Sequence, residues 1–339
     1  MSSPIQSVEI LGSDLAAHCL WHFLKAAGIH RLRLQPAAAA QTPRGQIIGA
    51  NVARLLRTID ESKLNELANT PDREQVRLAQ SGFLLSEMPL GKFYEDRYLA
   101  PLINIEQADL LEIVQADSES NSETGERTNF DVTVDTRPAE TESSGYRLWQ
   151  SKSPITDDAS LRVNITWIGD DFLAWQFATK SNLHFVWFAK SLPEPDHLHP
   201  ALHGFLDCDE PIAVGIGPVK ETMYAGNTAF VSAAVSKPWP TQLPFLNFGV
   251  EDTWVLARML ENYEDDLSSA LSEYEKYRLP RHRKVLSYSE LYLNRYLHKS
   301  GMARVSRNLG IALRTRFLPE MAMQQVDWFY QYDCIRGFR

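Results

Sequence analysis

The chain has 339 residues, a formal net charge of −9, 44% hydrophobic residues and 10% aromatic residues. That length suffices for one large domain or two intimately joined ones, and the acidic balance argues against a general nucleic-acid binder. The three cysteines, Cys19, Cys208 and Cys334, lie far apart with no CxxC pair, which argues against a disulfide framework and for a reducing compartment. No apolar run approaches the ~20 residues of a membrane span, and the first residues lack a signal-peptide pattern, so a cytoplasmic protein is expected.

Ser7 to Leu11 reads as a short buried strand, Gly12 to Asp14 as a turn, and Leu15 to Ala27 as a helix stopped by Gly28. Arg31 to Leu34 reads as a second strand, so the chain opens as β-α-β with parallel strands. Pro36 to Pro43 is an Ala-rich loop. Helical patterns follow at Val52 to Leu67 and Ala108 to Val114. Asp117 to Asn129 is acidic and Ser-rich, as an exposed hairpin tip or mobile loop would be. Phe130 to Val134, Leu161 to Ile168, Phe172 to Ala178 and His184 to Phe188 alternate like strands of an antiparallel sheet, and Ala229 to Val235 resembles a buried strand. Helices are expected at Glu251 to Asn262, Leu267 to Tyr277, Arg281 to Leu297 and Met302 to Thr315.

The expected fold class is α/β. A Rossmann-like dinucleotide-binding-type domain would use residues 1–75, 100–150 and 220–265. An antiparallel-sheet substrate domain would use 76–99 and 151–219, and 266–339 would form a C-terminal helical segment.

Four stretches carry a family resemblance. Asn247-Phe248-Gly249-Val250-Glu251-Asp252, continued to Leu260, resembles the N-x-G-(I/V)-E-D-A-x-x-L-A-x-x-L signature of FAD-dependent aromatic-ring hydroxylases, especially the ubiquinone-biosynthesis branch. Leu271 to Pro280 is similar to the L-x-x-Y-E-x-x-R-x-P run that follows in those proteins. Arg304 to Pro319 resembles the closing helix, and Arg44 with Ala53 to Leu56 resembles an R…LL pattern near the front. The resemblance implies FAD, NAD(P)H as reductant, and hydroxylation of an aromatic or quinone-like substrate. It places cofactor contacts at Gly12 for the turn, Arg44 for the pyrophosphate, and Asn247 and Gly249 for the helix facing the flavin. These roles apply only if FAD binds.

The departures surround one ligand. The family's G-x-G-x-x-G reads Gly12-Ser13-Asp14-Leu15-Ala16-Ala17, so a carboxylate faces the expected pyrophosphate. The ribose-gripping acid falls at Gln35, and a further FAD-contacting Arg falls at Gln107. The G-A-D-G motif falls at Asp135 to Pro138, and G-D-A-A at Ser232 to Val235. The ring-facing glycines fall at Leu243, Pro244 and Phe245, whose bulk is expected to intrude on the ring. These losses predict a chain that no longer holds FAD in the usual way. It would act as a non-flavin binding or accessory protein, or a cofactor-free enzyme, on an apolar or aromatic small molecule. The alternative is an FAD-dependent monooxygenase with an atypical cofactor site. A third expectation is an accessory protein to an active hydroxylase.

Other clusters have plainer readings. Asp196, His197, His199, His203, Asp207, Cys208, Asp209 and Glu210 contain metal-ligand types at no standard spacing, and His18 and His22 share a helix face without an acidic third ligand. No metal site is expected. Arg278, Arg281, His282, Arg283 and Lys284, with Arg295, Lys299, Arg304, Arg307, Arg314 and Arg316, make the C-terminal region basic. That suits either a solvated helix face or attraction to a peripheral membrane surface or protein partner. Trp149, Trp167, Trp175, Trp187, Phe172, Phe177, Phe185 and Phe188 enrich the central sheet, either as core or as a cavity wall. No residue is singled out as catalytic.

Overall fold

The computed structural model describes residues 4–37, 42–115, 129–241, 243–297, 301–317 and 319–337. The acidic segment 117–128 lies outside them. β1 (Ser7–Leu11), α1 (Leu15–Ala26) and β2 (Arg31–Gln35) form the opening β-α-β unit, with β1 and β2 parallel. β3 (Gly45–Ile48), α2 (Ala50–Leu67), β4 (Arg73–Leu78) and β5 (Leu84–Pro89) follow. Next come α3 (Gly91–Tyr98), β6 (Ile103–Glu106), α4 (Gln107–Gln115), β7 (Val132–Asp135) and the long β8 (Glu142–Pro154). One turn of helix, α5 (Asp158–Leu161), leads to β9 (Val163–Ile168), β10 (Leu173–Ala178), β11 (Asn182–Ala189) and β12 (Ile212–Ile216). β13 (Tyr224–Ala225) and β14 (Thr228–Phe230) precede the helices α6 (Val250–Asn262), α7 (Leu267–Tyr296), α8 (Gly301–Phe317), α9 (Pro319–Tyr330) and α10 (Cys334–Gly337).

Three sheets result, with strand orders β13-β14-β7-β1-β2, β12-β8-β11-β10-β9-β4-β5 and β3-β6. The first is parallel from β14 to β2. The second is antiparallel except where β4 runs parallel to β9. α1 buries almost its whole length, from Leu15 to Leu24, because it lies between the parallel sheet and α6. The larger apolar core runs from β1 through α1 and α6 to the C-terminal helices. A smaller one, with Trp167, Phe172, Phe185 and Trp187, fills the far face of the antiparallel sheet.

The α/β class and the parallel opening unit match the expectation. Several boundaries do not. Ala229 to Val235 is a strand only as far as Phe230. It then folds into a 3-10 turn at Ser232–Ala234, with Ser232 at φ +57°. β3, β4, β5 and β6 depart from the expectation: β3 and β6 are only four residues long, and the charged residues of β4 and β5 mask a buried face. The two helices expected on either side of Pro280 are one helix, α7. A proline inside a helix costs about 3 kcal/mol, so tertiary contacts must keep α7 helical there.

Those contacts also correct the reading of the basic run at three of its five residues, Arg283 and Lys284 remaining exposed. Arg278 and His282 have no exposed surface, and Arg281 is buried too. They meet Glu251 and Asp252 of α6, which are also fully buried. Arg281 Nη2 donates to Glu251 Oε1 at 2.6 Å, and Arg278 Nε donates to Asp252 Oδ1 at 2.6 Å. His282 Nε2 lies 2.8 Å from Asp252 Oδ2, and its Nδ1 lies 2.6 Å from Ser236 Oγ. Arg278 Nη1 sits 2.9 Å from Glu251 Oε2 without hydrogen-bond alignment. Burial would raise both carboxyls. The facing cations outweigh it, holding Glu251 below its usual range and Asp252 at about 2. Their stabilisation is present above the ordinary carboxylate range and is lost as pH falls toward 2. Elsewhere in the C-terminal region Arg304 pairs with Asp170, and Arg307 donates to the Tyr296 carbonyl. The exposed stripe on α8 is apolar: Met302, Val305, Leu309 and Leu313.

Replacing Arg278 by Leu leaves two buried carboxylates short of a cation, a change worth about 3–5 kcal/mol. We expect Arg278→Leu to lower the unfolding free energy by that margin at pH 7, read as a lower urea midpoint with the slope unchanged. An unaltered midpoint would show that the cluster does not hold α6 to α7.

Candidate functional site

Two hollows share one wall. The first is a cleft of about 210 Å³ lined by Gly12, Asp14, Gln107, Thr136, Arg137 and Asn247, among others. Gly12 follows β1 with φ +142°, and a Cβ there would lie 2.0 Å from Thr136 Oγ1, so only glycine closes this turn. Asp14 caps α1, its Oδ1 accepting from Ala17 N–H at 3.0 Å. The carboxyl thus occupies the positive end of the helix, where an anionic ligand would otherwise bind. Burial pushes its pKa up, against the Ala17 N–H and the Thr136 hydroxyl. Arg137, the cation in the cleft lining, is held in a fork by Asp135 through two 2.9 Å bonds.

The four positions carried over as cofactor contacts separate. Gly12 and Asn247 line the cleft. Asn247 Nδ2 donates to Gln46 Oε1 at 3.1 Å. Arg44 instead forms a half-exposed ion pair with Asp209 at 2.9 Å. Gly249 packs under the cleft wall, where a Cβ would meet Ser232 Oγ at 2.2 Å. Ser232 takes the left-handed backbone that glycine favours, and its N–H donates to Asp252 at 2.8 Å. The ring-facing segment also differs from expectation. Phe245 turns into the core against Phe329, 4.5 Å between ring centres, and does not line the cleft.

The second hollow, about 180 Å³, lies between the antiparallel sheet and the C-terminal helices. The alternation of β4, β5 and β9 brings Glu74, Ser86, Met88, Asn164 and Thr166 to one face of the sheet. α7 faces them with Tyr288, Tyr292 and Tyr296, spaced four residues apart and so on one side of the helix. Tyr94, Tyr330 and Trp175 complete the aromatic wall. A 3-10 turn at Leu243–Asn247 divides the two hollows: Leu243 and Pro244 face the cavity, Leu246 and Asn247 the cleft.

Glu74 is the unanticipated group. It is half-buried by area, because the surface it retains belongs to the cavity, and burial alone pushes its pKa up to about 7. A charged residue in an alternating strand is usually solvated, so residue type and spacing do not reveal this placement. The tyrosine spacing on α7 was a readable signal that was missed. Of the sheet aromatics, Trp175 reaches the cavity, while Trp167, Phe172, Phe185 and Trp187 pack on the opposite face. The His-rich stretch covers that face: His203 contacts the Pro195 carbonyl at 3.0 Å and His199 stacks on Trp167. His22 contacts the Val114 carbonyl at 2.6 Å. Among the described residues no three metal-ligand side chains converge.

No family model matches the chain, and no curated protein matches it. Solved structures do. A variant of HpxO from Klebsiella pneumoniae complexed with FAD superposes with a TM-score of 0.79 at 13% identity, covering 96% of this chain and 98% of that one. HpxO complexed with FAD and uric acid gives 0.76 at 15% identity, covering 94% and 96%. A salicylate hydroxylase substrate complex gives 0.72 at 16% identity, covering 98% and 96%. The chain therefore has the fold of the FAD-binding hydroxylases, and at these identities the likeness is one of fold.

Glu74 also makes a stability prediction. Its carboxyl rises from 4.5 to about 7 on folding, so the folded state is penalised as pH climbs through that interval, approaching ~3 kcal/mol above it. Contact with the cavity lessens this. Glu74→Gln is expected to melt higher than the parent at pH 8, with the gain shrinking at pH 5. A gain equal at both pH values would contradict the assignment.

Proposed function

We propose that this chain is an FAD-dependent monooxygenase with an atypical cofactor site, acting on an aromatic small molecule in the tyrosine-lined cavity. The observation that carries this reading is the shared wall at Leu243–Asn247. A cofactor lying in the cleft would end beside a substrate in the cavity. FAD, with NAD(P)H as reductant, would supply the oxygen-activating chemistry. The chain's own residues bind and orient: Tyr288, Tyr292 and Trp175 offer aromatic rings, and Ser86 and Thr166 bring hydroxyls from the sheet. Leu243 and Pro244 keep water from the junction. The solved relatives in fold support the reading, two being complexes with FAD and one of these also holding uric acid.

The fit is uneven along the cleft. The end at Leu246 and Asn247 is not blocked by Phe245. The end at α1 presents the Asp14 carboxyl, with Arg137 already neutralised by Asp135. An ionised Asp14 repels a pyrophosphate, so cofactor binding in this reading requires Asp14 to gain a proton or move aside. Asp14 therefore also favours a second reading, a non-flavin binding or accessory protein that uses the cavity alone.

A titration with FAD, followed by visible absorbance, separates the two. The monooxygenase reading expects weak binding at pH 8, tighter binding as pH falls, and at least about tenfold tighter binding by Asp14→Gly. Glycine is a tolerable helix cap, costing only a few tenths of a kcal/mol. No uptake by either protein at about 100 µM FAD would overturn it in favour of the second reading.

A further inference from the structure

The cavity sorts ligands by charge. Among its described lining residues Glu74 is the only acid, and none is a lysine, arginine or histidine. No hydrogen-bond donor reaches the Glu74 carboxyl among the described residues, and burial alone acts on it. The groups facing it are aromatic or neutral. The Glu74 charge helps raise the phenols of Tyr94 on α3 and Tyr330 on α9, Ser86 comes from β5, and Asn164 and Thr166 come from β9. Across the cavity stand Tyr288, Tyr292 and Tyr296, the last two stacked with centroids 4.1 Å apart.

An ionised carboxylate without a partner is costly in such surroundings. Aromatic faces carry negative potential and attract cations, most strongly where water is excluded. A cavity lined by aromatic rings and one carboxylate is complementary to a cation that carries apolar surface. We infer that the cavity takes an organic cation carrying an aromatic ring, a quaternary ammonium or protonated amine, with Glu74 as its counter-ion. The inference rests on the reading of this cavity as the substrate site, and it names the substrate class. An aromatic carboxylate would bring a second negative charge beside Glu74 with no cation to offset either. A neutral aromatic would gain apolar burial but leave Glu74 unpaired. Bound cation and carboxylate stabilise each other, so Glu74, near 7 in the free protein, is drawn into its ionised form.

The test compares three probes on the intact protein by calorimetry: phenyltrimethylammonium, its uncharged isostere tert-butylbenzene, and benzoate. Phenyltrimethylammonium keeps its charge at every pH, so any pH dependence belongs to the protein. We expect it to bind at least about tenfold tighter than tert-butylbenzene at pH 8, with benzoate not binding. Its affinity should fall as pH drops from 8 to 5.5 and Glu74 takes up a proton. Glu74→Gln should abolish the preference and the pH dependence while still binding tert-butylbenzene. The pH series on the parent protein tests the proposal even if that variant fails to fold. Equal affinity for cation and isostere, preference for benzoate, or a flat pH profile would overturn the cation proposal and leave the aromatic cavity standing. Failure of all three probes to bind would overturn both.

Discussion

Two carboxylates at the start of α6, Glu251 and Asp252, are fully buried and must be neutralised. The placing of the C-terminal helices beside the two hollows follows from how that is done. Arg278, Arg281 and His282 of α7 meet them, which fixes α7 against α6 and carries the helix through Pro280. Arg281 also donates to the carbonyls of Trp328 and Phe329, so the end of α9 is tied to the same point. Asn51 Nδ2 donates to Glu251 at 2.6 Å and brings in α2. Tyr288 and Tyr330 are positioned as a consequence, one from α7 and the other next to Phe329. Asp252 reaches the cleft as well, because it accepts the N–H of Ser232 in its left-handed turn. One desolvated ion cluster thus sets the roof of the cavity and a wall of the cleft.

Each hollow holds an acid, in a different setting. In the cleft the acid is a helix cap, satisfied by Ala17 N–H and placed where an anion would bind. In the cavity the acid is unsatisfied and ringed by aromatic rings. Asp14 serves the local fold. Glu74 strains it, because its ionised form finds no compensation among the described residues that face it. A destabilising polar group retained in a cavity is the kind of local inconsistency that marks a working site. The 3-10 turn at Leu243–Asn247 is what puts these unlike hollows side by side.

Much of the candidate site was hidden in the sequence because its signals are not periodic. β4 reads as Arg-Glu-Gln-Val-Arg-Leu, a pattern that solvated loops share, and only pairing with β5 and β9 gives it a buried face. Phe245 was expected to fill the cleft by bulk alone, yet Phe329 and Tyr288 offered it a better-packed place. Basic residues at 278, 281 and 282 resembled a surface patch because charge is usually solvated. The partners that bury them lie some thirty positions earlier in the chain.

The sequence by itself determined the framework. The apolar run of β1, the helical period of α1 and the glycine at position 12 are local instructions, and they specify a β-α-β unit wherever the rest of the chain goes. It also placed the acidic pair on α6 and the cations on α7 in one order along the chain. Only the tertiary structure decided that these charges are internal, that Arg44 leaves the cleft for Asp209, and that Glu74 meets tyrosines from three helices. The physical reason is range. Periodicity and turn chemistry act within a few residues, whereas burial and pairing of charge depend on segments brought together from far apart.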